Sequence, residues 1–292
     1  MRSPTIALMT AVILFSPITN ITAATDAASG IPAAQVIILK LDDVIQSKEE
    51  GGPVSPRWKR IADYIESNHL KASFGIIGAS LDGGDADTHA YSERIIKEQP
   101  ELVKDFPLQD ADNPVYYHWI KEHRAKGFIE FWCHGYRMRI PSDTHGEFEQ
   151  GTFEEQKAAL EKCERLALEK LGFDLPVFGP HWSVTTPATG RALEAIPEIK
   201  IIFGGVVKDT KKFVLPTVMG LEISTGVPDF KKFKDKYEKI GFTKPYLHLQ
   251  GHPDKWDDAK WDEFLKIINY LKSKHCVFMT PSEYVASVTS HQ

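Results

Sequence analysis

Cysteine is scarce in this chain. Cys133, Cys163 and Cys276 are the only three among 292 residues, too few and too scattered for a disulfide framework or a cysteine-based zinc site. An odd count leaves at least one thiol free in a monomer, and each sits in an apolar stretch that reads as buried. Basic charge is also short: 35 Lys and Arg against 40 Asp and Glu give a net charge of -5. No positive field is available to hold a phosphate backbone, which sets nucleic acid aside as a partner. Neither a GxGxxG nor a GxxxxGK[ST] loop occurs, so nucleotide and dinucleotide enzymes are disfavoured.

Long apolar runs are missing too. None reaches the roughly 20 residues that a spanning helix takes, so no stable membrane insertion is expected. The nearest run, Ile6 to Phe15, follows Arg2 and precedes small residues around Thr22, Ala23 and Ala24. A basic start, a short apolar stretch and a small-residue exit describe a secretory signal peptide over residues 1–24, with export as its consequence. An uncleaved anchor is the alternative. Residues 25–32 are small and polar and read as a linker, and one domain is expected over 33–292.

Strands and helices alternate through that domain. Gln35 to Leu41 is a continuous apolar run of the kind a strand buried on both faces shows. Ser55-Pro56 caps a helix that places Trp58, Ile61, Ala62 and Ile65 on one face. Strands follow at Ala72–Ile77, Phe128–Cys133, Pro176–Phe178, Lys200–Phe203, Tyr246–Gln250 and Cys276–Met279. Helices are expected from Asn113-Pro114 to Gly127, from Thr152 (a capping box with Glu155) to Gly172, near Ala188–Ala195, over Asp257–Lys272 and from Pro281. Gly78 to Ala111 reads as loops with a short helix. This alternation implies an α/β fold with a parallel sheet, open or closed into a barrel.

In parallel α/β proteins the reactive groups lie just past the C-terminal ends of strands. Four such ends carry Asp42-Asp43, His134-Gly135-Tyr136, Gly179-Pro180-His181-Trp182 and Gly251-His252-Pro253. Singly, a paired Asp is usually a turn or cap, and a lone His is usually structural. Together they offer one rim two carboxylates and three imidazoles, and a carboxylate with two histidines is a common set for a hydrolytic metal. Adjacent carboxylates repel unless a cation or shared proton lies between them, which suggests one on a metal and one taking a proton.

In order, LKLDDV (Leu39–Val44), KASFGIIG (Lys71–Gly78), FWCHGY (Phe131–Tyr136), FGPHW (Phe178–Trp182) and LHLQGHP (Leu247–Pro253) resemble the motifs of polysaccharide deacetylases, in a divergent branch. The resemblance implies an irregular (β/α) barrel and hydrolysis of an acetyl group, N-linked or O-linked, from a carbohydrate with one divalent metal ion, zinc first among candidates. By position it implies Asp43 and His134 as metal ligands, Asp42 as general base on the metal-bound water and His252 as general acid.

Three departures stand out. Where the family has a second motif histidine, this chain has Met138; His145 in THGEFEQG is the substitute ligand, against a reading as a solvent-facing loop residue, and Glu147 is a further candidate. Val44 follows the Asp pair in place of glycine. His181 stands in the third motif, where binding metal, steering the base and packing are all open to it. Trp182, His181 and Tyr136 are the candidates for substrate contact, with ordinary barrel core as the alternative for the aromatics. The rival functions are a deacylase of another amide or ester, and a carbohydrate-binding pseudoenzyme.

Overall fold

In the computed structural model, the residues described are 34–46, 53–82, 113–137, 146–205, 207–217, 219–240 and 243–290. The expected signal peptide, the linker, Met138 and His145 lie outside them. The chain from Ala34 onward clusters as one unit.

β1 (Val36–Val44) is buried along its whole length and is the centre of the fold. It pairs in parallel with β2 (Ala72–Ile76), β9 (Tyr246–Gly251) and β10 (Val277–Phe278). The sheet continues through β3 (Ile129–Cys133), β4 (Val177–Phe178), β5 (Ile201–Phe203) and β6 (Phe213–Leu215), every pairing parallel. A separate antiparallel hairpin joins β7 (Glu222–Ser224) to β8 (Val227–Pro228).

Strand period two sorts the side chains into two layers. On β1, Ile37, Leu39 and Leu41 face outward into the larger core. That core is closed by α1 (Pro56–Ser67), α2 (Pro114–Ala125), α3 (Glu147–Gln150), α4 (Phe153–Leu166), α5 (Pro187–Glu194), α6 (Phe230–Ile240) and α7 (Asp258–Ser273). Val36 and Ile38 join a second cluster with Trp132 of β3, Val177 of β4, Ile201 and Phe203 of β5 and Leu215 of β6. Strands that are not neighbours in the sheet meet there: Trp132 and Phe203 rings lie 5.3 Å apart, and Phe203 and His248 of β9 4.6 Å apart. The sheet is therefore curled into a barrel whose interior is packed, as the resemblance to polysaccharide deacetylases implied.

Most expected elements are present with ends moved by a few residues. The Ser55 and Thr152 caps both form, the latter as the full capping box. β1 runs past Leu41 to Val44, because pairing with β2 resumes at Val44 beyond a bulge. The short helix α3, β6, the β7–β8 hairpin and α6 (Phe230–Ile240) were not anticipated from the sequence. Cys133 and Cys163 are buried, whereas Cys276 is partly exposed, a correction to the reading of all three as buried. No helix of the described residues is long and apolar enough to cross a membrane.

Candidate metal centre and acid–base pair

Adjacent residues of a regular strand point to opposite faces, so Asp42 and Asp43 would normally part company. The irregularity between Leu41 and Val44 prevents this, with Asp43 in the left-handed region at φ 71°. Asp is among the few non-glycine residues that tolerate that conformation. Both carboxylates, 1% and 4% exposed, thus stay at one end of the barrel.

His134 follows β3 in the inward register set by Trp132. Its Nδ1 faces the carbonyl oxygen of Gly179 at 2.5 Å, and a carbonyl can only accept, so Nδ1 carries the proton and Nε2 keeps a lone pair. That Nε2 lies 3.4 Å from Asp43 Oδ1 and 3.6 Å from Asp42 Oδ2. His181 opens a short 3₁₀ turn after β4, and its Nδ1 lies 3.7 Å from Asp43 Oδ1. The two imidazoles are 3.8 Å apart between centroids. One ligand atom each from Asp43, His134 and His181 falls within 4.8 Å of the others, and all three residues are buried.

The donors suit a divalent ion. Asp43 Oδ1 and His181 Nε2 are buried without a hydrogen-bond partner among the described residues, a costly condition unless something binds there. Burial pushes the Asp43 carboxyl up, but the imidazoles around it, His134 first, hold it well below the usual carboxylate range. Burial, then His134, pushes His181 well below the ordinary histidine value, so it is a neutral imidazole with a lone pair to give. A carboxylate oxygen with two imidazole nitrogens is a hydrolytic zinc-type set.

Asp42 and Glu222, also at this end, already have partners. Asp42 receives Lys40 Nζ on both oxygens, at 2.6 and 2.5 Å, and Gln250 Nε2 on Oδ2 at 2.6 Å. Glu222 of the β7–β8 hairpin accepts from His252 N (2.8 Å), Trp256 Nε1 (2.7 Å) and Gly226 N (2.9 Å), and pairs with His252 Nδ1 at 2.7 Å. Desolvation would lower His252, but Glu222 foremost, then Asp42 and Asp43, raise it to about 9. Its Nε2 faces Asp42 Oδ2 at 3.9 Å. Asp254, two residues on, is pushed up to about 7 by burial and the charge of Asp43.

The structure therefore groups Asp42, Asp43, His134, His181 and His252, and adds Glu222, Lys40 and Gln250, which sequence reasoning missed. Lys40 carried a legible signal, a charge inside an apolar run at inward register. Glu222 carried none. Trp182 stands beside the group, 48% exposed at φ 56°, with its ring over Gly146, where a Cβ would sit 2.9 Å from it. Tyr136 is not brought in: its hydroxyl donates to Asp82 at 2.6 Å and its ring lies in the outer core. Glu147 is turned to the backbone, accepting from Tyr136 N and Arg137 N at 2.8 and 3.2 Å.

No protein-family model matches the chain, and no curated protein matches its sequence. Solved structures do share its fold. The Xyl-CE4 domain of a multidomain xylanase from the hindgut metagenome of Trinervitermes trinervoides is 15% identical, with a TM-score of 0.52 over 86% of this chain and 89% of that one. A family 4 acetyl xylan esterase from Clostridium thermocellum, solved with a cobalt ion, is 14% identical at TM-score 0.50, covering 85% and 89%. A 4-alpha-glucanotransferase from Thermococcus litoralis is also 14% identical, at TM-score 0.51 over 87% of this chain and 40% of that one. One fold thus serves more than one chemistry, and function must be argued from the site. The chain has the (β/α) barrel fold seen in the CE4 deacetylases.

Proposed function

We propose that this protein is a metal-dependent hydrolase that removes acetyl groups, N-linked or O-linked, from a carbohydrate. One observation carries the reading: a three-donor cluster, Asp43, His134 and His181, sits beside a carboxylate and a protonated imidazole at one barrel end. A divalent ion held by those three donors, zinc foremost, would polarise an acyl carbonyl and acidify water. Asp42, fixed by Lys40 and Gln250, takes the proton of the attacking water on its carboxylate. His252 Nε2 gives a proton to the departing nitrogen or oxygen, while Glu222 holds its Nδ1 and supports the charged ring. Burial of the group excludes bulk water and strengthens each of these interactions. The exposed face of Trp182, whose ring lies 5.7 Å from that of His181, suits the apolar face of a sugar ring.

The binding-only alternative drew its support from Met138 in place of a ligand, and His181 within reach of Asp43 weakens that ground. The test is acetate release from acetylated xylan and N-acetylated oligosaccharides by zinc-loaded protein, beside chelated protein and Asp42→Asn. Release by the loaded wild type alone supports the reading. Equal release by Asp42→Asn, or none from any acetylated saccharide, overturns it.

A further inference from the structure

Two anionic side chains next to each other in sequence, both buried and at one barrel end, pose a problem for a cation site. Either carboxylate could bind the ion, and an ion that takes both leaves no base. What separates Asp42 from Asp43 is Lys40. It lies two residues before Asp42 on the same inward face of β1 and is 2% exposed. Its Nζ contacts both Asp42 oxygens, at 2.6 and 2.5 Å. The ammonium also lies 4.8 Å from the Trp132 ring centroid and 5.8 Å from that of Phe203, so aromatic faces replace part of its lost hydration. Gly75 and Gly179 make room for that arrangement, since a Cβ on either would enter the Trp132 ring at 2.4 or 2.7 Å.

Burying an ammonium in a packed barrel is costly, and an aliphatic residue of similar length would fill the same space without that cost. The charge must therefore serve its partner. Asp42 has Lys40 and Glu222 has His252, whereas Asp43 keeps an unpartnered oxygen.

We infer that Lys40 is a positioning residue that holds Asp42 away from the ion, so that Asp43 alone binds it and Asp42 stays available as the base. The inference rests on the hydrolase reading above. Lys40 touches no substrate and moves no proton.

The experiment compares Lys40→Met and Lys40→Gln with the wild type in three ways: zinc affinity, kcat and KM for acetate release, and the Asp42 side-chain position in zinc-loaded crystals. Misplacing a reacting group by about 1 Å can cost about 100-fold. The expected result is zinc affinity equal or tighter, kcat down about 100-fold, KM within about threefold, and the Asp42 carboxylate turned away from Gln250 towards Asp43. Lys40→Gln keeps a donor and falls between wild type and Lys40→Met. Unchanged kcat overturns the inference, and so does loss of zinc together with turnover, which would make Lys40 a support of the whole centre. Should the wild type release no acetate, the hydrolase reading fails separately, and the crystals still decide: Asp42 unmoved in Lys40→Met overturns the role of Lys40.

Discussion

Glu222→Gln is the most informative single change outside the three-donor cluster. Glu222 is 5% exposed and gives its two oxygens to His252 N and Nδ1, Trp256 Nε1 and Gly226 N. Gln keeps the shape, loses the charge and offers one acceptor oxygen in place of two. His252 stands at about 9 against the ordinary 6.5, with Glu222 first among the groups that raise it. That difference corresponds to about 3 kcal/mol, of which Asp42 and Asp43 also supply a share, so roughly 1–2 kcal/mol is assigned to Glu222. The His252 pKa should then fall to about 7.5–8. Acetate release by zinc-loaded protein, followed from about pH 6 to pH 10, is the assay. The basic limb should move down by about one unit or more, with turnover at about pH 8.5 falling about three- to eightfold and much less at about pH 6. Stability should respond as well. A histidine raised in the folded state stabilises fully below 6.5, and that contribution is lost as pH rises through about 9. Glu222→Gln should flatten this limb of the stability curve. An unmoved basic limb would refute the assignment of His252 as the acid and Glu222 as its support.

Three further predictions concern other parts of the molecule. Asp42→Asn should keep its zinc and lose turnover by about 100-fold or more, whereas His134→Ala should lose zinc; equilibrium dialysis with acetate assays separates the two. Gly75→Ala should destabilise the fold by about 1–3 kcal/mol, because its Cβ would enter the Trp132 ring and no flexible chain end can yield; denaturant unfolding would show it. Burial raises Glu147 from 4.5 to about 7, so the folded state holds that proton more tightly and stability falls as pH rises through this window. Glu147→Gln should remove this slope in melting temperatures taken across it.

Much of the fold was legible because β1, β3 and β9 are long enough to show apolar runs, each ending in a reactive pair or triplet. The helices announced themselves by caps such as Ser55-Pro56 and Thr152–Glu155. α6 was hidden by its lysines: Phe233 and Tyr237 are its buried residues, too few to give a stripe. The short strands β6, β7 and β8 offer no period to count. The same brevity explains the site. His134 and His252 follow strands whose register could be read, while β4 has two residues and could not say where His181 points. That both Asp42 and Asp43 reach one end depends on a bulge and a positive φ that composition does not encode. Glu222 reaches His252 only because a hairpin folds back, a contact 30 residues distant in sequence.

The central claim is that Asp43, His134 and His181 hold a divalent ion. Metal content by mass spectrometry after limited zinc reloading tests it most directly, on the wild type beside His181→Ala and His145→Ala. The account predicts about one ion per chain in the wild type and in His145→Ala, and loss in His181→Ala. No ion under any loading would contradict it, as would loss in His145→Ala with retention in His181→Ala.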